Sequence, residues 1–494
     1  MEGTLINTKK LLIIFTVFLI LFVLIGSVSA ANDNTTTLNK DTGKKINQDK
    51  ILNTESSTGD IDSGGKEIKN KEILKANNEN KTLKDVYDGF DEIRNKIENA
   101  ESGDTIEIDG YYCANNPRDV IQISKSNLTL IGINGATLDG KPLNGDYKSA
   151  IFEITGNNIT LKNLKIVNGY SSFSLEKTYG VIEWQGDYGS IINSTFINNT
   201  VYDYRSEENH TGIINWKGNY GSIINSTFIN NKPNNNQNSI DSGSPIHWYG
   251  LNGSVVNSTF INNTAGYGGA IYWEGTYGTL IKSTFINNTG DIGAIYWEGT
   301  YGTLINSTFI NNPTDAMRGV IFWEGTYGTL INSTFINNTG KWSGVIYWDG
   351  HNGTIINSTF INNTGDTGSA ITWNGHNGTV INSKFINNTA NHDWQSGAIT
   401  WSGISGTIIN STFIRNTALR GYGGAIFWEG DGNRKGRIIN SIFINNTAAE
   451  AGGAILIETN NCTIINSTFI NNTANNGGAI YTWGENHTVI NQLL

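Results

Sequence analysis

Carboxylates, imidazoles and aromatic rings return at fixed intervals along this chain, and from such side chains a binding or catalytic surface is built. Glu274, Glu298, Glu324 and Asp349 occupy one column, about 25 residues apart. Carboxylates stacked in successive layers repel one another, and either draw in a cation or stand as a solvated ladder. The ladder is the simpler expectation. Polysaccharide cleavage would need more: a lyase a calcium-binding acidic cluster and a Lys or Arg base, a hydrolase a second carboxylate across the scissile bond. The one basic member of the column, Lys217, stands two layers before Glu274 with Tyr249 between them. No catalytic residue, metal ligand or cofactor is therefore assigned. His351 and His376 hold equivalent turn positions, but without a third ligand they read as polar turn residues. Tyr272, Tyr296, Phe322 and Tyr347 form an aromatic column flanked by the turn tyrosines Tyr277, Tyr301 and Tyr327. An exposed strip of this kind suits sugar rings or a protein partner, whereas stacking between neighbouring strands needs no ligand. The first four are the predicted binding residues.

These columns exist because the chain repeats itself. Trp184, Trp216, Trp248, Trp273, Trp297, Trp323, Trp348, Trp373, Trp401 and Trp428 head successive units. Each is followed by a Phe in an Asn-rich run, from Phe196 to Phe443, with Phe469 continuing that series. Insertions at 231–244 and 391–396 lengthen single units without shifting these marks, so loops absorb the variation. Within a unit, the runs Ala-Ile-Tyr-Trp, Thr-Leu-Ile-Asn and Thr-Phe-Ile-Asn are β-branched and aromatic, and Gly, Asn, Ser and Asp separate them. Three short strands per unit and no helical period predict an all-β fold, a parallel β-helix in which each strand pairs with its copy one coil on.

Alternation along the strands predicts the faces. Ile271 and Trp273 point inward and Tyr272 and Glu274 outward, because the Tyr position elsewhere holds Glu183, Asn215, His247 and Thr372. Leu280, Phe285 and Asn287 are expected inside, with Asn306, Asn332 and Asn357 as a buried amide ladder interrupted by Lys282. Ile281 and Ile286 then form two apolar stripes on the outside, which need either a covering or displaced corners. On this reading a ladder Asn cannot carry a glycan, so Asn252, Asn352 and Asn377 in turns are better acceptors than the Asn-Ser-Thr copies.

Composition narrows the function classes. With 494 residues, 15% charged and a formal net charge of −10, the chain lacks the basic surface that nucleic acid requires. Lys9 and Lys10 precede an apolar run from Leu11 to Ile25 and small residues up to Ala31. Residues 1–30 read as a signal peptide cut near Ala30 or as an uncleaved anchor, the only membrane contact foreseen. Residues 31–82 read as a disordered Asn/Thr/Lys-rich linker. The β-helix is expected over 83–494, with a capping helix at 83–100 placed by Leu83, Val86, Tyr87, Phe90, Ile93 and Ile97 and started by Thr82. Irregular coils are expected at 101–178, regular repeats at 179–494, and an uncapped last coil. Cys113 and Cys462 lie too many coils apart for a disulfide.

The units resemble the chlamydial polymorphic outer-membrane protein repeat. Gly268-Gly-Ala-Ile271, with copies at 423–426, 452–455 and 477–480, matches its first motif, and Phe285-Ile-Asn-Asn288 its second. From about Leu83 onward the chain also looks like the adhesin-like surface proteins of methanogenic archaea, which are exported and built on pectate-lyase-like right-handed parallel β-helices, the fold this resemblance implies here. That resemblance implies an extracellular or cell-surface location and cell-surface glycans or envelope proteins as partners. Larger relatives carry C-terminal attachment domains that are not seen here. A polysaccharide lyase or hydrolase on the same scaffold, and a purely structural envelope component, are the competing functions.

Overall fold

A computed structural model of the chain describes residues 88–493, apart from 117–118, 142–148, 171, 175–176, 202–211, 234–242, 315–317, 394 and 431–433. The expected signal or anchor, the linker and Thr82 lie outside the described residues. The rest is a right-handed parallel β-solenoid of about 13 turns. Each regular coil carries three three-residue strands, for example Ile271–Trp273, Thr279–Ile281 and Thr284–Ile286. A two-residue strand such as Thr289–Gly290 follows in many coils. The tryptophan strands assemble one 14-stranded sheet and the other two sets a 28-stranded sheet. Pairing is parallel and in register, with Trp273 opposite Trp297 and Phe285 opposite Phe309.

The first coil is closed by a helix over Asp91–Asn99, shorter than the sequence predicts. Asp88–Gly89 is instead a strand paired with Tyr112–Cys113, because chain leaving the edge of a coil satisfies its backbone by pairing there. Phe90, Ile93 and Ile97 are buried as expected.

Two of the three left-handed residues in each regular coil are corners that decide which side chains face inward. Lys282 (φ 50°) and Asn287 (φ 54°) both adopt this conformation, as do Asn306, Asn311, Asn332 and Asn337. Asn tolerates it better than any other residue except Gly. A left-handed residue breaks the strand alternation, so two consecutive side chains point out at each corner and the next points in. The inward residue is therefore Ser283 after the first corner and Asn288 after the second, both fully buried. This overturns the expected inward placement of Asn287, Asn306, Asn332 and Asn357, all of which lie on the outer side of the corners, with Asn287 and Asn306 exposed. The Asn of each Asn-Ser-Thr copy, Asn193 and Asn306 among them, is exposed, so burial does not bar it as an acceptor. Ile281 and Ile286 do face out and are half-buried.

The buried amide ladder runs one residue further on, through Asn263, Asn288, Asn312, Asn338 and Asn363. Asn312 Nδ2 donates to Asn338 Oδ1 (3.0 Å) and to the Phe285 carbonyl (3.1 Å), while the Asn312 backbone N–H also donates to Asn338 Oδ1 (3.0 Å). A serine ladder parallels it, the Ser283 hydroxyl donating to the Ile281 carbonyl and accepting the Ser258 N–H. The core aromatics stack from coil to coil: Trp273, Trp297 and Trp323 keep centroid spacings of 4.8 Å, and Phe285 and Phe309 one of 4.6 Å. One glycine exists to admit the indole, since a Cβ on Gly278 would sit 2.3 Å from Trp273 Nε1.

Candidate functional site

The predicted binding residues sit together, but not on the surface. Tyr272, Tyr296 and Phe322 point away from the solenoid core and are nonetheless buried, with relative exposures of 5%, 7% and 1%. Tyr267 and Ile292 from the connecting segments pack over them, and Arg318 lies 4.1 Å from the Phe322 ring. Tyr347, partly buried, meets Phe322 edge-on. The expected exposed strip is therefore corrected to a second aromatic stack, covered by the loops that alternation arguments do not see.

The acidic column is tied into that stack. Tyr272 Oη donates to Glu298 (3.0 Å) and Tyr296 Oη to Glu324 (2.7 Å), each tyrosine reaching one coil forward. Burial, and then hydrogen bonding and the field of these carboxylates, raise both phenols far above the ordinary tyrosine range. Burial also raises Glu324, opposed by the Tyr296 hydrogen bond and reinforced by the Glu298 charge. Arg318 lies 3.5 Å from Glu324, Asn374 Nδ2 donates to Asp349, and Glu274 lies 2.6 Å from the fully buried His247 Nε2. Lys217 is ion-paired at 2.7 Å with Glu183, whose side chain is fully buried. The carboxylates stand one above another along one flank, each with a partner, instead of facing across a cleft. Among the described residues no group of three or more His, Cys, Asp and Glu side chains is placed to hold a metal ion.

His351 and His376 stack at 4.6 Å, and their Nδ1 atoms accept backbone N–H groups one coil on, from His376 and Ile404 respectively. Those lone pairs are in use, and the pair serves the turn.

The turn tyrosines form the exposed aromatic feature. Tyr188, Tyr220, Tyr277, Tyr301 and Tyr327 are 58%, 52%, 52%, 44% and 48% exposed. All five have φ between 57° and 60°. The same turn position holds Asn in Asn352 and Asn377, with the same left-handed backbone. A bulky residue there costs about 1–2 kcal/mol relative to the right-handed region, a cost Asn largely avoids. Stacking offsets part of it, with Tyr188–Tyr220 at 5.0 Å, Tyr277–Tyr301 at 5.0 Å and Tyr301–Tyr327 at 4.9 Å. Sequence reading placed three of these beside the buried column; the signal that distinguishes them is their alternation with Asn at a turn whose Gly neighbours imply left-handed geometry.

A model described as a right-handed β-helix region matches residues 269–397 and 318–494, and a chlamydial polymorphic membrane protein repeat matches residues 257–272. No curated protein matches the chain. Among solved structures, a PL6 alginate lyase in complex with a trisaccharide is 15% identical, with 82% of this chain and 88% of that one covered and a TM-score of 0.44. A PL6 family polysaccharide lyase from Pseudopedobacter saltans is 13% identical over 68% and 85%, with a TM-score of 0.46. The tailspike of E. coli bacteriophage HK620 in complex with a pentasaccharide is 13% identical over 77% and 74%, with a TM-score of 0.41.

Proposed function

We propose that this protein is an exported surface rod that binds glycans through repeated weak contacts along one flank, without cleaving them. The observation that carries this reading is the set of five exposed tyrosines held in left-handed turns where Asn stands in sister coils. Strain kept at exposed positions with an easy substitute on hand points to use. Repetition at one-coil spacing adds a second argument, because linked weak contacts gain affinity by effective concentration. The net charge of −10 and the flanking Glu column favour neutral partners over polyanions. An adhesin-like role at the cell surface follows from this reading.

The test is retention of the purified chain on immobilised neutral and acidic polysaccharides, with the soluble products analysed. Retention on neutral glycans with intact chains is the expected result. Release of shortened or unsaturated oligosaccharides would instead establish the lyase or hydrolase, and absence of retention on every glycan would leave the structural-envelope reading.

A further inference from the structure

The tyrosine ladder has one missing rung. Tyr188 and Tyr220 stack as a pair and Tyr277, Tyr301 and Tyr327 as a triple. The coil between them carries Asn252 at the equivalent position, with the same left-handed backbone (φ 55°). Register is continuous across this coil: the Tyr220 N–H donates to the Leu251 carbonyl (2.8 Å), the Asn252 N–H to the Thr276 carbonyl (2.9 Å) and the Tyr277 N–H to the Thr300 carbonyl (2.9 Å). Tyr220 and Tyr277 are therefore two rungs apart, about 9.6 Å at a strand spacing of ~4.8 Å.

A ring seated midway would lie about 4.8 Å from each tyrosine, the spacing the stacked rings keep among themselves. An asparagine side chain ends where a tyrosine ring begins, and Asn252 is exposed, so its side chain does not fill the outer part of the rung. Leu251, 47% exposed, precedes Asn252, and half-buried Thr276, whose carbonyl accepts the Asn252 N–H, is its neighbour one coil on, so apolar and polar residues adjoin the rung.

We propose that this notch is a sandwich site for a single neutral pyranose ring. A hexopyranose fits the chemistry: its two faces carry C–H groups that lie against aromatic faces, and its rim carries hydroxyls that the amide and the Thr276 hydroxyl can meet. Glu274 stands three residues before Tyr277 and Glu298 follows one coil on, so a uronate carboxylate is disfavoured. The inference rests on the glycan-binding reading above and makes it specific. Within the flank the five tyrosines are not equivalent: Tyr220 and Tyr277 form the jaws of one site, and the others add weaker contacts along it.

Asn252→Tyr separates the two ideas, because completing the ladder fills the notch and adds an exposed tyrosine. Binding of β-linked glucose, galactose and N-acetylglucosamine hexasaccharides is measured by calorimetry on the full chain, with a galacturonate hexasaccharide for comparison. A neutral hexasaccharide is expected to bind the parent, to lose about tenfold or more in affinity with Asn252→Tyr, equivalent to ~1.4 kcal/mol, and to be little changed by Leu419→Ser, at an exposed residue outside the tyrosine ladder. Tyr220→Asn and Tyr277→Asn, which place the residue of sister coils at the jaws, are expected to match the loss. Binding by Asn252→Tyr equal to or tighter than the parent overturns the notch and leaves the multivalent flank standing. Binding of no neutral sugar overturns both, and Asn252-dependent capture of a tyrosine-bearing peptide in its place would make the occupant a protein side chain.

Discussion

Asn337 and Asn338 are adjacent and chemically identical, yet the geometry assigns them costs that differ severalfold. Asn338 is fully buried; its Oδ1 accepts the Asn312 backbone N–H and Asn312 Nδ2, and its Nδ2 donates to the Phe309 carbonyl and to Asn363 Oδ1. Asn338→Ala leaves two buried N–H groups of Asn312 without that acceptor, at about 1–3 kcal/mol each, and opens a small void. A loss of about 4 kcal/mol is expected. Asn337 is exposed at φ 54°, so Asn337→Ala loses only the left-handed tolerance of Asn, about 1 kcal/mol, and Asn337→Gly almost nothing. Urea unfolding followed by circular dichroism measures the totals, and hydrogen exchange over residues 312–363 shows whether the damage spreads to both neighbouring coils. Because a solenoid can open coil by coil, the exchange data carry the comparison if the unfolding curve is not two-state. Equal costs at the two positions, or a cost below about 1 kcal/mol at Asn338, would refute the assignment of the inward ladder.

Lys282 sits at φ 50° where most coils have Asn, so Lys282→Asn should stabilise by about 0.5–1 kcal/mol, read as a raised Tm. Trp323 is fully buried and its indole N–H has no hydrogen-bond partner among the described residues, so Trp323→Phe should cost about 1–2 kcal/mol in denaturant titration and Trp323→Ala about 3–5 kcal/mol. Burial, then His351 and Arg434, hold the His376 pKa below its ordinary value, so the fold favours the neutral ring. Its contribution is full above the ordinary histidine range near pH 6.5 and fades as pH falls through the lower folded value. His376→Asn should flatten that part of a Tm-versus-pH curve.

The solenoid and its core aromatics were legible in the sequence because Trp and Phe recur without slippage and period-two alternation holds within a three-residue strand. The corners were not, because Asn serves in three ways here: as left-handed corner, as buried amide and as turn residue, and residue type alone does not separate them. Counting alternation through a corner carried Asn306 and its copies inward when the left-handed turn had already reset the phase. The exposure expected of the predicted binding column failed for a different reason. Tyr272, Tyr296 and Phe322 do face outward, as Glu183 and His247 at the same position imply, but the connecting segments fold back over that face. Their sequences vary in length and carry no period, so nothing in the repeat announces a cover. Glu183 and His247 were read as signs of solvent when each is buried against a charged partner.

The account rests on tyrosines kept in left-handed turns for contact with a ligand and not for stability. Replacing Tyr188, Tyr220, Tyr277, Tyr301 and Tyr327 together by Asn, then measuring glycan retention and Tm on one preparation, tests this directly. Retention is expected to disappear while Tm stays level or rises. Undiminished retention, or a collapse of Tm that shows the ladder to be a structural strut, would contradict it.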